Sequence, residues 1–77
     1  MEHILFVDDD DAACALVSQG LEAAGFRVTT TTSPHEALDQ IASEDFAVVV
    51  TDLGMSELHG IELCRRVQEI RPDLPVV

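Results

Sequence analysis

No lysine occurs anywhere in this chain. Its positive charge comes from Arg27, Arg65, Arg66 and Arg71, set against 15 acidic residues, for a formal net charge of −11. Phosphate backbones are held by basic faces, so this balance argues against nucleic-acid binding through this segment and favours cations and basic protein surfaces as partners. Cysteine is nearly as scarce. Cys14 and Cys64 each sit in an apolar helical pattern, with no CxxC pair and no histidine cluster. That disfavours zinc and fits reduced, semi-buried thiols in a cytoplasmic protein. No apolar run comes near the ~18 residues needed to span a membrane. No basic N-terminal region leads into a long apolar run, so no signal peptide is visible.

What remains is enough for one small domain. Of 77 residues, 47% are hydrophobic, which separates the chain from disordered tails. A domain this short buries only roughly 60% of the surface its unfolded chain exposes, so marginal stability is expected.

Ile4–Val7 is a continuous apolar run of the kind found in strands buried on both faces. From Ala12 to Ala24, apolar residues recur at helical spacing; Asp10 or Asp11 can cap the start, and Gly25 stands where the helix should stop. Gly20 interrupts that helix with a poor helix former. Phe26–Thr31, less apolar, reads as an edge strand. In "SPHE", Ser33 suits an N-cap, Pro34 the first helical position and Glu36 a capping box. Phe46–Val50 reads as a second buried strand, followed by the loop "LGMSELHG". A third helix runs through Ile61, Leu63, Cys64, Val67 and Ile70 and closes at Arg71-Pro72. "LPVV" then begins a fourth strand. Alternation of strands and helices predicts a parallel α/β sheet with right-handed crossovers.

Two of these strands run into aspartate. Asp8, Asp9 and Asp10 follow the first, and Asp52 follows the third. In open parallel α/β sheets, ligands bind outside the carboxyl ends of the strands. If the two strands are neighbours, Asp8, Asp9 and Asp52 converge, and carboxylates so close repel unless a cation lies between them. A few carboxylates with water suit Mg²⁺. Asp10 and Asp11 read as caps.

Taken together, "ILFVDDDD", "VVVTDLGMSELHG" and "RRVQEIRPDLPVV", with Gly60 eight residues beyond Asp52, resemble the receiver domain of two-component response regulators over all 77 residues. The resemblance implies a flavodoxin-like, doubly wound parallel sheet of full order 2-1-3-4-5, here reaching only the start of strand four, so that residues 1–77 form a partial domain. It implies that Asp52 accepts a phosphoryl group from a sensor histidine kinase, in the cytoplasm, to switch a downstream output such as transcription. It further implies a Mg²⁺ cofactor touched by Asp9 and Asp52, by Asp8 directly or through water, and by the backbone carbonyl of Gly54. Such a domain is a signalling phospho-acceptor, not an enzyme, beyond self-phosphorylation from phosphodonors and autodephosphorylation.

The chain departs from the family in places. Ser56 stands where proline is common, and His59 where an acidic or amide residue is usual. Gly54 leaves the acceptor open to water and small phosphodonors. The switch Thr or Ser and the Lys of the family's later strands have no counterpart here, nor does its final helix. The uncovered first helix and fourth-strand edge are expected to make the 77-residue chain dimeric or larger. His3, His35 and His59 are expected at the surface. Two other readings share these residues. A receiver-like module can act by protein interaction alone, without phosphorylation. A phosphatase of the haloacid dehalogenase class would use Asp8 and Asp10 as its D-x-D, but usually continues with Gly-Thr where this chain has Asp11-Ala12.

Overall fold

The computed structural model describes residues 2–51 and 60–77. The order is β1 (His3–Val7), α1 (Asp11–Ala23), β2 (Arg27–Thr31), α2 (Pro34–Ser43), β3 (Val48–Thr51) and α3 (Gly60–Ile70). Among the described residues the strands form a parallel sheet in the order β2-β1-β3. His3 pairs with Arg27 through to Val7 with Thr31, and Ile4 pairs with Val48 through to Val7 with Thr51. Beyond β3, Val76 bridges Val49 in parallel; Val49 N–H donates to Pro75 O at 2.9 Å and Val77 N–H to Val49 O at 2.8 Å. The expected fourth strand therefore begins beside the third.

The helix ends follow local chemistry. The Asp10 side chain accepts the N–H of Ala12 and caps α1, with Asp11 adding an acid in the first turn, where the helix dipole favours it. Gly25 turns the chain out of α1 at φ +97°, a left-handed conformation that suits glycine. The Ser33 side chain accepts the N–H of Glu36, and Pro34 opens α2.

Alternation along β1 divides the molecule into two layers. Leu5 and Val7 meet Ala37 and Ile41 of α2, Leu63 and Val67 of α3, and Val49 in one fully buried cluster. Phe46, Leu38, Leu74 and Val76 pack around it. Ile4 and Phe6 are buried on the opposite face, where α1 lies across β1 and β2. Leu16, on the flank of α1, stays 72% exposed. β3 starts at Val48 rather than Phe46, although the Ala47 N–H already donates to His3 O at 2.7 Å. His3 corrects an expectation. It is half-buried, its Nε2 is 2.7 Å from Thr29 Oγ1, and its ring lies 4.5 Å from that of Phe46. His35 is exposed as expected, and His59 lies outside the described residues.

Candidate functional site

The site is built on the carboxyl ends of β1 and β3. Val7 and Thr51 are partners in the parallel register, and each is followed in the sequence by an aspartate. Parallel pairing holds the two strand ends level, which an antiparallel arrangement of these strands could not do. Asp52 and Gly54 lie outside the described residues, as do Ser56 and His59. Asp8, half-exposed, and Asp9, exposed, stand where β1 leaves the sheet.

The β1–α1 loop is held by its own backbone. The Asp8 N–H donates to Thr31 O at 3.2 Å, carrying the β1–β2 ladder one residue past the strand. The Asp10 N–H donates to Asp8 Oδ1 at 3.0 Å, while Asp10 Oδ1 accepts the Ala12 N–H at 2.9 Å. Asp10 thus serves as a cap, as its position suggested, and Asp8 has one carboxylate oxygen oriented by a main-chain donor. Asp9 projects from the middle of this braced turn.

Beneath the loop sits Cys14, which the sequence suggested only as a semi-buried thiol. It is buried, and its Sγ lies 3.4 Å from Asp8 O and 3.9 Å from Thr31 O. Burial pushes the thiol upward from its ordinary value, and the negative Asp8 and Asp11 add to that. Cys14 is therefore protonated at neutral pH, and its single S–H is nearest the Asp8 carbonyl, with Thr31 O farther off. No sequence pattern exposes this role, because it depends on β2 returning beside β1. Both cysteines are free thiols.

Among the described residues, no group of three His, Cys, Asp or Glu side chains is placed to hold a metal. The donors at this edge are nevertheless of one kind. Two carboxylates leave one strand end, with no thiolate or imidazole competing in the loop. Oxygen donors of this type suit a hard divalent cation such as Mg²⁺. An open groove of about 430 Å³ borders the edge on the far side of β3, lined by Thr51, Ile61, Cys64, Gln68 and Val77 among others.

Residues 4–77 match the family of the response regulator receiver domain. The chain belongs to that family. It is 38% identical over 77 residues to the response regulator receiver protein CpdR of Brucella abortus (strain 2308), covering all of this chain and 64% of CpdR. It is 35% identical over 75 residues to the transcriptional regulatory protein GlrR of Escherichia coli (strain K12), covering 97% of this chain and 17% of GlrR. The chain thus spans under two thirds of one relative and about a sixth of the other. The receiver fold of the response regulator TrrA of Thermotoga maritima, solved in complex with Mg²⁺ and BeF, superimposes with a TM-score of 0.93 at 26% identity, over 99% of this chain and 66% of TrrA. TrrA has also been solved in complex with the histidine kinase ThkA, and that structure superimposes equally well. Receiver domains belong to two-component signalling and are signalling domains rather than classical enzymes. The β2-β1-β3 order, with Val76 beside β3, is the first part of their sheet. No described helix is long and apolar enough to cross a membrane.

Proposed function

We propose that this receiver domain is a phospho-acceptor, and that Asp52 takes a phosphoryl group from the phosphohistidine of a sensor histidine kinase in the cytoplasm to switch an output, transcription among the candidates. The observation that carries this reading is the level pairing of Val7 with Thr51. It sets the residues before Asp8 and before Asp52 side by side at the sheet edge where α/β folds bind their ligands. The TrrA–ThkA complex supports a kinase as partner, and the Mg²⁺-BeF complex of TrrA supports Mg²⁺ as cofactor. Asp8, Asp9, Asp52 and the backbone carbonyl of Gly54 would hold the ion, which when bound offsets the charge that gathers on phosphoryl oxygens. Asp52 contributes the attacking carboxylate oxygen. The P–N bond to histidine breaks as the P–O bond to Asp52 forms. Asp8, tied through Oδ1 to the Asp10 N–H, stays fixed while this happens.

Residues 1–77 are on this reading the first part of a receiver domain, which the family match over residues 4–77 and the 64% coverage of CpdR and 66% of TrrA support. We propose further that copies of the 77-residue chain associate through the open groove that Ile61 and Val77 line, where both side chains are exposed. Sedimentation showing a monomer at micromolar concentration would count against this.

The deciding experiment incubates the chain with phosphoramidate, with and without Mg²⁺, and weighs it by mass spectrometry. One phosphoryl group on Asp52, dependent on Mg²⁺ and lost in Asp52→Asn, is the expected result. A chain that stays unmodified, also in the presence of a phosphorylated sensor kinase, would leave the interaction-module reading in its place.

A further inference from the structure

Cys14 does more than fill space. The backbone of Asp8 is held on both sides of its Cα. Its N–H is bound to Thr31 O at 3.2 Å, and its carbonyl lies 3.4 Å from Cys14 Sγ. Thr31 O takes the Cys14 thiol as well, at 3.9 Å, so one carbonyl of β2 gathers donors from both the β1 end and the first turn of α1. The carbonyl of Asp8 and the N–H and Cα of Asp9 lie in one rigid peptide plane. Whatever fixes the Asp8 carbonyl therefore fixes the base from which the Asp9 side chain departs. Asp9 is exposed, and among the described residues its carboxylate has no brace of the kind that ties the Asp8 carboxylate to the Asp10 N–H. Its backbone fixes where its Cα–Cβ bond departs.

We propose that Cys14 is a positioning residue for the divalent-cation site, its thiol donating to the Asp8 carbonyl and thereby aiming the carboxylate of Asp9. This inference rests on the metal reading given above. Groups that orient a metal ligand without touching the metal commonly govern affinity. A thiol is a weak donor, so its worth here lies in direction rather than in bond strength. The location suits the task. Cys14 is 6% exposed and sits in the first turn of α1, a turn anchored by the Asp10 cap and by the Cys14 N–H donating to Asp10 O at 3.1 Å. The donor is therefore held by a helix while the acceptor belongs to the site.

The test is calorimetric titration of the 77-residue chain with Mg²⁺ alone; with neither tryptophan nor tyrosine present, intrinsic fluorescence offers no convenient reporter. Wild type, Cys14→Ala, Cys14→Ser and Asp9→Asn are compared, each at a temperature where a metal-free melt shows it fully folded. Cys14→Ala is expected to weaken Mg²⁺ binding about tenfold, the lower end of what loss of a positioning contact costs. Cys14→Ser keeps a donor and is expected to restore most of the affinity. Asp9→Asn is expected to abolish binding. If Cys14→Ala binds Mg²⁺ as tightly as wild type while Asp9→Asn does not bind, the positioning role is refuted and the metal reading stands. If Cys14→Ser binds as poorly as Cys14→Ala, the thiol acts through its volume and the proposal falls. If Asp9→Asn binds as wild type does, the metal reading itself fails and the proposal goes with it.

Discussion

Asp10 donates its N–H to the carboxylate of Asp8 at 3.0 Å and turns its own carboxylate the other way, to the N–H of Ala12 at 2.9 Å. Neighbouring aspartates of one run thus carry separate duties. Replacing Asp10 by Ala removes the cap of α1 and is expected to cost about 0.5–2 kcal/mol. In a domain of this size each kcal/mol lowers the melting temperature by about 4–8 °C. The main-chain N–H at position 10 survives the substitution, so Mg²⁺ binding should persist. Asp9→Asn should behave in the opposite way, keeping the melting temperature and losing the metal. Thermal melts paired with Mg²⁺ titrations of the two variants separate the duties.

Gly20 and Gly25 should respond to alanine with opposite signs. Gly20 lies in the exposed middle of α1 with open space around its Cα, and Gly20→Ala should stabilise by about 0.5–1 kcal/mol. Gly25 also has open space, but its φ of +97° suits no side chain, so Gly25→Ala should destabilise. Urea midpoints on the two variants would show the contrast, and equal shifts of one sign would contradict it.

Burial ranks the apolar residues just as sharply. Ile41 is wholly buried between the sheet and α3, and Ile41→Ala should cost about 2–5 kcal/mol, enough to leave so small a domain largely unfolded. Leu16 is 72% exposed, and Leu16→Ala should change stability by no more than about 0.5 kcal/mol. Far-ultraviolet circular dichroism of the two variants at room temperature is a sufficient check.

On α3 the hydrogen bond from Arg65, with Nε 2.9 Å from Glu62 Oε2, and a further one from Arg66 hold the Glu62 carboxyl down from 4.5 to about 2. Arg65 also reaches Glu69. A carboxyl with a lowered folded-state value stabilises while it is charged. Its contribution is complete above the ordinary value of 4.5 and disappears as pH falls toward about 2. Any excess in melting temperature of wild type over Glu62→Gln should therefore be present at neutral pH, shrink through that window, and shrink also with added salt, because these groups face solvent. A gap that widened on acidification would overturn the assignment.

Much of the architecture was readable from local signals. Ser33, Pro34 and Asp10 announce helix starts through bonds made within a few residues, and Gly25 announces a stop in the same way. The weakly apolar run Phe26–Thr31 reads as an edge strand, and β2 (Arg27–Thr31) is the edge of the described sheet. The candidate aspartates stand out in the sequence because strand ends and carboxylates coincide twice in one chain. What escaped was long-range. Arg71 closes α3 as anticipated, yet its Nε also reaches back to Ile41 O at 3.3 Å and its Nη1 to Asp45 Oδ1 at 3.5 Å. His3, expected at the surface, is drawn in by Thr29 and Phe46, both distant in the chain. The Cys14 clamp was illegible for the same reason, since both of its acceptors belong to strand ends.

The placement of β1 between its two partners also governs time. His3 meets Arg27, 24 residues away, and Ile4 meets Val48, 44 residues away. No strand in this sheet can zip onto a hairpin neighbour; each must wait until an intervening helix has brought its partner round. Chain closure over such spans has to precede the contacts that reward it, so the sheet assembles late and at a rate set by loop entropy rather than by helix formation. Helical signal should therefore rise before the Leu5–Val49–Leu63 core closes, and until it closes the apolar strand runs Ile4–Val7 and Phe46–Val50 stand open to each other's copies on neighbouring molecules.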